Sequence, residues 1–176
     1  LPSDIDDARF AFFGTALSGQ PKQRERWKRG VAAVEQQLGE LLGRIYEDRY
    51  FPEANRKAMA DLVGNLRKAM AANLKDLDWM GADTRAQAQA KLDSFNPKIG
   101  GPVKYKTYDG QAVSATDPIG NMIAAGKWDW DYRLARVGKE VDRTEWFMLP
   151  QTVNAYYNPT FNEIVFPAAI LQPPFF

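Results

Sequence analysis

The side chains of this chain that could take part in chemistry are carboxylates, amides and hydroxyls, because its 176 residues include no histidine and no cysteine. A serine or threonine nucleophile is normally activated by a neighbouring base, and no histidine is available for that role. A catalytic zinc site of the H-E-x-x-H type needs two histidines on one helix face plus a carboxylate. We therefore predict that the chain by itself holds no catalytic zinc and hydrolyses nothing.

Two sets of acidic residues invite a catalytic interpretation. Glu163 lies in an apolar run, but it has no partner histidine and no metal motif, so we predict a charge on the surface of a strand. Asp4, Asp6 and Asp7 are better explained as the acidic first turn of a helix, where they complement the helix dipole.

The composition is typical of a soluble globular protein, with 45% hydrophobic and 26% charged residues. A net charge of +1 gives no field that would attract nucleic acid or an anionic membrane, so we expect neither as a partner. No apolar run reaches the roughly 18 residues of a membrane span. Residues 1–4 lack the basic and apolar parts of a signal peptide.

Two long amphipathic helices are predicted on either side of Phe51-Pro52, which stops the first and can start the second. Their apolar residues recur at spacings of three and four. We expect an antiparallel helix hairpin with a bundle core, because the stripe is too wide for a coiled coil. The stripe of the first helix, 23–50, contains Trp27, Val31, Val34, Leu38, Leu41 and Ile45, and that of the second contains Met59, Leu62, Val63, Leu66, Met70, Leu74 and Leu77.

Two shorter helices are predicted from their start signals. The acidic first turn predicts a helix over residues 4–17. Thr84 and Gln87 have the spacing of a capping box, which predicts a helix from Thr84 that ends at Asn96-Pro97.

A fifth helix is predicted over residues 117–138. Asp117 is a good N-cap, and Pro118 suits the first helical position. Trp128 and Tyr132 lie four residues apart and share one face of this helix. They could stack on a ligand, but the packing of one helix face explains them with fewer assumptions.

Extended structure is predicted in two places. Residues 99–108 alternate in polarity and contain Gly100-Gly101, which predicts a bend rather than a phosphate loop because the G-x-x-x-x-G-K pattern is missing. The runs 152–157 and 163–166 flank a turn at Asn158-Pro159-Thr160, which predicts a β-hairpin.

The run of residues 153–176, VNAYYNPTFNEIVFPAAILQPPFF, resembles the substrate-binding segment of neprilysin-type zinc endopeptidases, a family that includes bacterial oligopeptidases. The resemblance covers essentially the whole chain. It implies a middle segment, about a quarter of a full-length member, that precedes the zinc-binding H-E-x-x-H helix. The shorter matching pieces, in order, are Arg26-Trp27-Lys28, Tyr50-Phe51-Pro52, Leu77-Asp78-Trp79-Met80, Pro97-Lys98-Ile99-Gly100 and Val141-Asp142-Arg143-Thr144-Glu145-Trp146.

The resemblance implies an α+β, mainly α-helical fold with two parts. Residues 1–143 would belong to a helical lobe that caps a closed cavity. Residues 144–176 would supply the first strands of a thermolysin-like catalytic lobe, since the alternating pattern begins near Glu145.

The resemblance also implies which residues bind substrate. Asn154 and Ala155 match the residues that pair with the backbone of an extended peptide, and the asparagine amide offers both a donor and an acceptor. Tyr156 would pack beneath this strand or line the cleft wall. Ile170 and Phe175 match two walls of an S1′ pocket for bulky apolar side chains.

The cofactor implied by the resemblance is zinc in the parent enzyme, with every zinc ligand downstream of Phe176. The implied partners are peptide substrates and the remaining catalytic part of the same protein. The absence of cysteine fits a bacterial exported protein, periplasmic or extracellular, and also a cytoplasmic one.

Two alternatives to a protease segment remain open. A non-catalytic helical interaction module would dock through its apolar end, residues 170–176. A pseudo-enzyme would bind peptides through Asn154 without cutting them.

Overall fold

The computed structural model describes residues 2–176 and contains two compact units, which divide between Gln37 and Leu38. The predominance of helix with one small sheet confirms the α+β, mainly α-helical prediction. The helices are Ser3–Arg9 (α1), Arg26–Tyr50 (α2), Glu53–Asp76 (α3), Ala82–Asp93 (α4) and Pro118–Leu134 (α5), and the strands are Asn96–Gly100 (β1), Tyr156–Asn158 (β2) and Glu163–Pro167 (β3). A π-helix, Phe10–Ala16, follows α1, and a 3₁₀ turn, Ala168–Ile170, follows β3.

The first helical run agrees with the predicted span, but its second half is π-helical. Asp4 and Asp6 occupy the first turn of α1, and Asp6 forms an ion pair of 2.9 Å with Arg29. Gly14 is required in the π-helix because a Cβ at this position would collide with the ring of Phe10. The wider turn therefore depends on a residue without a side chain.

Helix α2 differs most from its prediction. It is interrupted at Leu38, where φ is −128° and ψ is 35°. Its predicted apolar stripe is not a buried core among the described residues, since about half or more of the surface of Trp27, Val31, Val34 and Ile45 is exposed. The buried face consists instead of Gly39, Glu40, Gly43 and Glu47.

Helix α3 begins directly after Pro52 and buries Met59, Val63 and Leu74. The capping box predicted at Thr84 is wrong, because α4 begins at Ala82 and Gly81 is its N-cap without a side-chain hydrogen bond. The turn between the two helices is fixed by one side chain, since Arg85 donates to the carbonyl oxygens of Lys75, Leu77 and Met80.

The sheet has the strand order β1-β3-β2. β2 and β3 form the predicted antiparallel hairpin, although β2 is shorter than predicted. β1 pairs with β3 in parallel and starts at Asn96, where the sequence predicted only the end of a helix. Gly100 ends β1 with a φ of +87°, which confirms the predicted bend at this point.

One hydrophobic cluster joins the helices to the sheet. Tyr46 from α2, and Ile99, Phe166 and Ile170 from the sheet region, pack against this cluster. The start of α3 and the residues after β3 therefore share one core, whose buried members are Phe51, Met59, Val63, Ala168 and Leu171.

Helix α5 confirms two predictions. The Asp117 carboxylate accepts a hydrogen bond of 2.8 Å from the Gly120 amide, as expected of an N-cap. Trp128 and Tyr132 stack with ring centroids 5.2 Å apart, so they do pack on one face. The helix ends at Leu134, before the predicted end. None of the helices within residues 2–176 has the length and apolar character needed to cross a membrane.

Candidate substrate-binding site

Asn154 and Ala155 lie immediately before β2, which is an edge strand of the sheet. Tyr156 pairs with Val165, so the same register would place Ala155 opposite Phe166 and Asn154 opposite Pro167. Proline has no N–H to donate to a ladder, so pairing with β3 cannot extend across Pro167.

The backbone of this segment makes only local contacts within residues 2–176. The amide of Asn154 donates to the Thr152 carbonyl oxygen at 2.9 Å. The Asn154 side-chain Oδ1 accepts a hydrogen bond of 2.8 Å from the amide of Ala155. Asn154 is exposed and Ala155 is half-buried. Asn154 and Ala155 are thus accessible, and the Asn154 side chain satisfies the amide of Ala155.

Tyr156 is half-buried and connects β2 to residues 145–149, named here the covering segment. Its hydroxyl oxygen accepts a hydrogen bond of 3.0 Å from the amide of Phe147. The two rings pack edge to face, with centroids 6.3 Å apart. Burial raises the pKa of Tyr156 above its usual 10.0, and the nearby Glu163 and Glu145 carboxylates act in the same direction.

The prediction that Glu163 is a surface charge is wrong, because this side chain is fully buried. Its Oε2 lies 2.6 Å from Nζ of Lys98, which is itself 91% buried, since 9% of its side chain is exposed. The approach has the distance of an ion pair but not the direction of a hydrogen bond, and the buried Glu163 oxygens have no hydrogen-bond partner among the described residues. Alternation along a strand does not reveal which face another segment covers.

The largest cleft described near this region has a volume of about 520 Å³ and lies between α5 and the covering segment. Its charged side chains are paired with one another: Lys106 with Glu40 at 3.0 Å, and Arg136 with both oxygens of Glu145 at 2.7 and 2.6 Å. The cleft includes Thr152 but none of the predicted substrate-binding residues. Its lining is Glu40, Lys106, Asp129, Tyr132, Arg133, Arg136, Glu145, Trp146, Phe147, Met148, Leu149 and Thr152.

The two predicted pocket residues have different environments. Ile170 is partly buried and packs against the hydrophobic cluster. Phe175 is 70% exposed. The sequence reasoning missed Lys98 and Phe147, although a lysine within a strand next to a buried acid is a recognisable signal once the strand pairing is known.

The acidic side chains that the structure describes are scattered. The sequence has no histidine or cysteine, and within residues 2–176 no three acidic side chains are close enough together to hold a metal ion.

Comparison with known proteins gives a consistent result. Two sequence models described as peptidase family M13 match residues 1–102 and 154–176. An endothelin-converting enzyme homolog from Locusta migratoria is 33% identical over 92% of this chain, and neprilysin-3 from Drosophila melanogaster is 34% identical over 92% of it. The chain spans 23% and 21% of the lengths of these two relatives.

Solved structures agree with the sequence matches. The inhibitor complex of the zinc metalloprotease Zmp1 from Mycobacterium tuberculosis superposes with a TM-score of 0.90 at 46% identity, over 98% of this chain and 26% of that one. PepO from Lactobacillus rhamnosis superposes with a TM-score of 0.86 at 27% identity, over 96% of this chain and 28% of that one.

Proposed function

Because the chain belongs to peptidase family M13, we propose that it is the substrate-binding part of a zinc metalloendopeptidase that cleaves oligopeptides. Residues 1–143 belong largely to the helical lobe, although β1 within them pairs with β3, and residues 144–176 belong to the catalytic lobe. An extended peptide lies beside Asn154 and Ala155 and is held by main-chain hydrogen bonds.

The observation that carries this proposal is the position of Asn154 and Ala155 at the end of an edge strand. Pro167 has no N–H to donate to them, so a peptide on this accessible edge pairs with their carbonyl oxygens. Their amides donate to the Thr152 carbonyl oxygen and to Asn154 Oδ1 in this structure. The small side chain of Ala155 lets a peptide backbone approach closely. The side-chain amide of Asn154 can donate to and accept from one peptide group, once its Oδ1 releases the backbone amide of Ala155.

The remaining proposed site residues act around this strand. Tyr156 supports it from below through its contact with Phe147. Ile170 and Phe175 provide two walls of the S1′ pocket, which receives the residue after the cleaved bond. The pocket accepts a large apolar side chain because isoleucine and phenylalanine offer it only hydrocarbon surface.

Zinc does not fit the residues of this chain, which include no histidine and no acidic cluster among the described positions. We assign the zinc ligands and the general base to other residues of the same protein, and no step of the hydrolysis to residues 1–176. The partners of this chain are then peptide substrates and that catalytic part. We also propose export from a bacterial cell, with the cytoplasm as the alternative, since the absence of cysteine is compatible with both.

The test is a kinetic comparison in the full-length protein that carries this chain. We expect Asn154→Ala to raise KM for peptides about tenfold with little change in kcat, because uniform binding is lost. Asn65→Ala, an exposed asparagine on α3, is the matched control. An unchanged KM in Asn154→Ala would refute the role of this strand. A zinc-loaded protein that binds peptides but cleaves none would indicate a pseudo-enzyme.

A further inference from the structure

The covering segment lies on one face of the sheet. Side chains of the sheet hold it there by hydrogen bonds to the main chain of the covering segment. The strand registers place the side chains of Tyr156, Glu163 and Lys98 on this same face. Lys98 Nζ donates to the carbonyl oxygen of Glu145 at 2.9 Å. Two residues further along the segment, the amide of Phe147 donates to the hydroxyl of Tyr156. The two outer strands therefore hold one short stretch of backbone between them.

The carboxylate of Glu163 lies on the central strand beneath this stretch. It is fully buried, and Lys98 is the cation 2.6 Å away. A second cation, Arg136, holds the side chain of Glu145 with two hydrogen bonds, so this residue is fixed through both its side chain and its main chain. Desolvating a lysine and a glutamate is costly, and an apolar pair of similar size would fill the space as well. Core packing alone does not account for these residue types.

The chain of contacts ends at the proposed peptide-binding residues. Glu163 orients Lys98, Lys98 fixes the main chain at Glu145, and the covering segment fixes Tyr156, the next residue after Ala155. We propose that Lys98 and Glu163 are positioning residues, which fix the backbone of Asn154 and Ala155 in the orientation that an extended peptide requires. This inference rests on the proposed function of that strand.

The experiment separates positioning from stability by replacing the whole pair. The double variant Lys98→Met/Glu163→Leu keeps an apolar volume at both sites, so we expect a Tm close to that of the parent protein. It loses the donor to Glu145, so we expect KM for peptides to rise about tenfold while kcat stays within about twofold. Glu163→Gln keeps both the shape and Lys98, and we expect a smaller rise of about threefold.

The control is Lys57→Met/Asp61→Leu, which removes an exposed pair on α3 whose side chains are 75% and 66% exposed. We expect it to change neither KM nor kcat. An unchanged KM in the folded Lys98→Met/Glu163→Leu protein would overturn the inference. Failure of both test variants to fold would also overturn it, because the pair would then serve stability alone.

Asn154→Ala, measured in parallel, distinguishes a failure of the positioning role from a failure of the proposed function. If Asn154→Ala raises KM and the Lys98→Met/Glu163→Leu variant does not, the positioning role is refuted and the proposed function stands. If neither variant changes KM, the proposed function itself is refuted.

Discussion

Helix α2 and the β2–β3 hairpin bury their residues by different rules. In the hairpin, the antiparallel pairing follows from the sequence, and alternate residues of β3 are buried as a strand pattern requires. In α2, four of the six residues of the apolar stripe are exposed, and the buried face is made of two glycines and two glutamates. Burial therefore follows the strand alternation in β3, although the buried residues include the charged Glu163, and it opposes hydrophobicity in α2.

The reason lies in what each element packs against. Gly39 and Gly43 let Leu149 and Pro150 come close to α2. A Cβ added at Gly39 would lie 2.6 Å from a Leu149 methyl carbon, and a Cβ added at Gly43 would lie 2.6 Å from Pro150 Cδ. Gln151 Nε2 also donates to the carbonyl oxygen of Gly39 at 3.2 Å. These contacts depend on two glycines and on the backbone of α2, and a pattern of apolar spacing does not predict them.

The two buried glutamates on α2 are each matched by a distant residue. Glu40 forms an ion pair with Lys106 and accepts a hydrogen bond of 2.8 Å from the Lys106 amide. Glu47 accepts hydrogen bonds from Arg56 and from the hydroxyl of Tyr105. A helix face can thus be buried through polar partners when a loop far along the chain supplies them.

The largest expected effect tests whether the sheet tolerates an uncompensated charge. Lys98→Met leaves the Glu163 carboxylate buried without its cation, so we expect a loss of about 3–5 kcal/mol in the free energy of unfolding. Lys57→Met removes an exposed partner of Asp61 and should cost less than about 1 kcal/mol. Denaturant unfolding of both variants measures the difference. Equal losses would mean that the Lys98–Glu163 pair behaves like a surface pair.

The second prediction tests the close approach on α2. Gly43→Ala places a methyl group against Pro150, which is fully buried, so we expect a loss of about 1–3 kcal/mol although alanine favours helix. Gly64→Ala on α3 meets no atom within 4 Å and should stabilise by about 0.5–1 kcal/mol. Opposite signs of the two changes in Tm would support the comparison. Stabilisation by both would show that Pro150 moves aside.

The accuracy of the sequence predictions follows the range of the interactions involved. Asp117 as an N-cap, the packing of Trp128 and Tyr132 on one helix face and the hairpin turn depend on neighbours within a few residues, and all three were predicted correctly. The parallel pairing of β1 with β3 and the burial of Glu163 depend on residues more than 60 positions apart. A single sequence gives no information on such pairings.

For the candidate site, the sequence indicated Asn154 and Ala155 only through a family resemblance. The structure adds the accessible edge and the position of Pro167 opposite Asn154, which follow from the register. A local pattern can also mislead. Thr84 and Gln87 have the spacing of a capping box, but the helix begins earlier, at Ala82. Thr84 cannot act as an N-cap because the residues before it are already helical.

The smallest expected effect tests the polar burial on α2 through its pH dependence. Burial raises the pKa of Tyr105 above its usual 10.0, and the hydrogen bond to Glu47 and the charge of Glu47 add to this shift. Because the pKa is higher in the folded protein, the stabilising contribution is complete below pH 10 and is lost as the pH rises above it. We expect the parent protein to lose stability more steeply than Tyr105→Phe above this pH, by less than about 0.5 kcal/mol at pH 10. Unfolding curves from pH 6 to 11 measure this difference, and the two proteins should run parallel from pH 6 to 8. Parallel curves over the whole range would mean that Tyr105 is no more buried in the folded protein than in the unfolded one, and that the polar face of α2 is open to water.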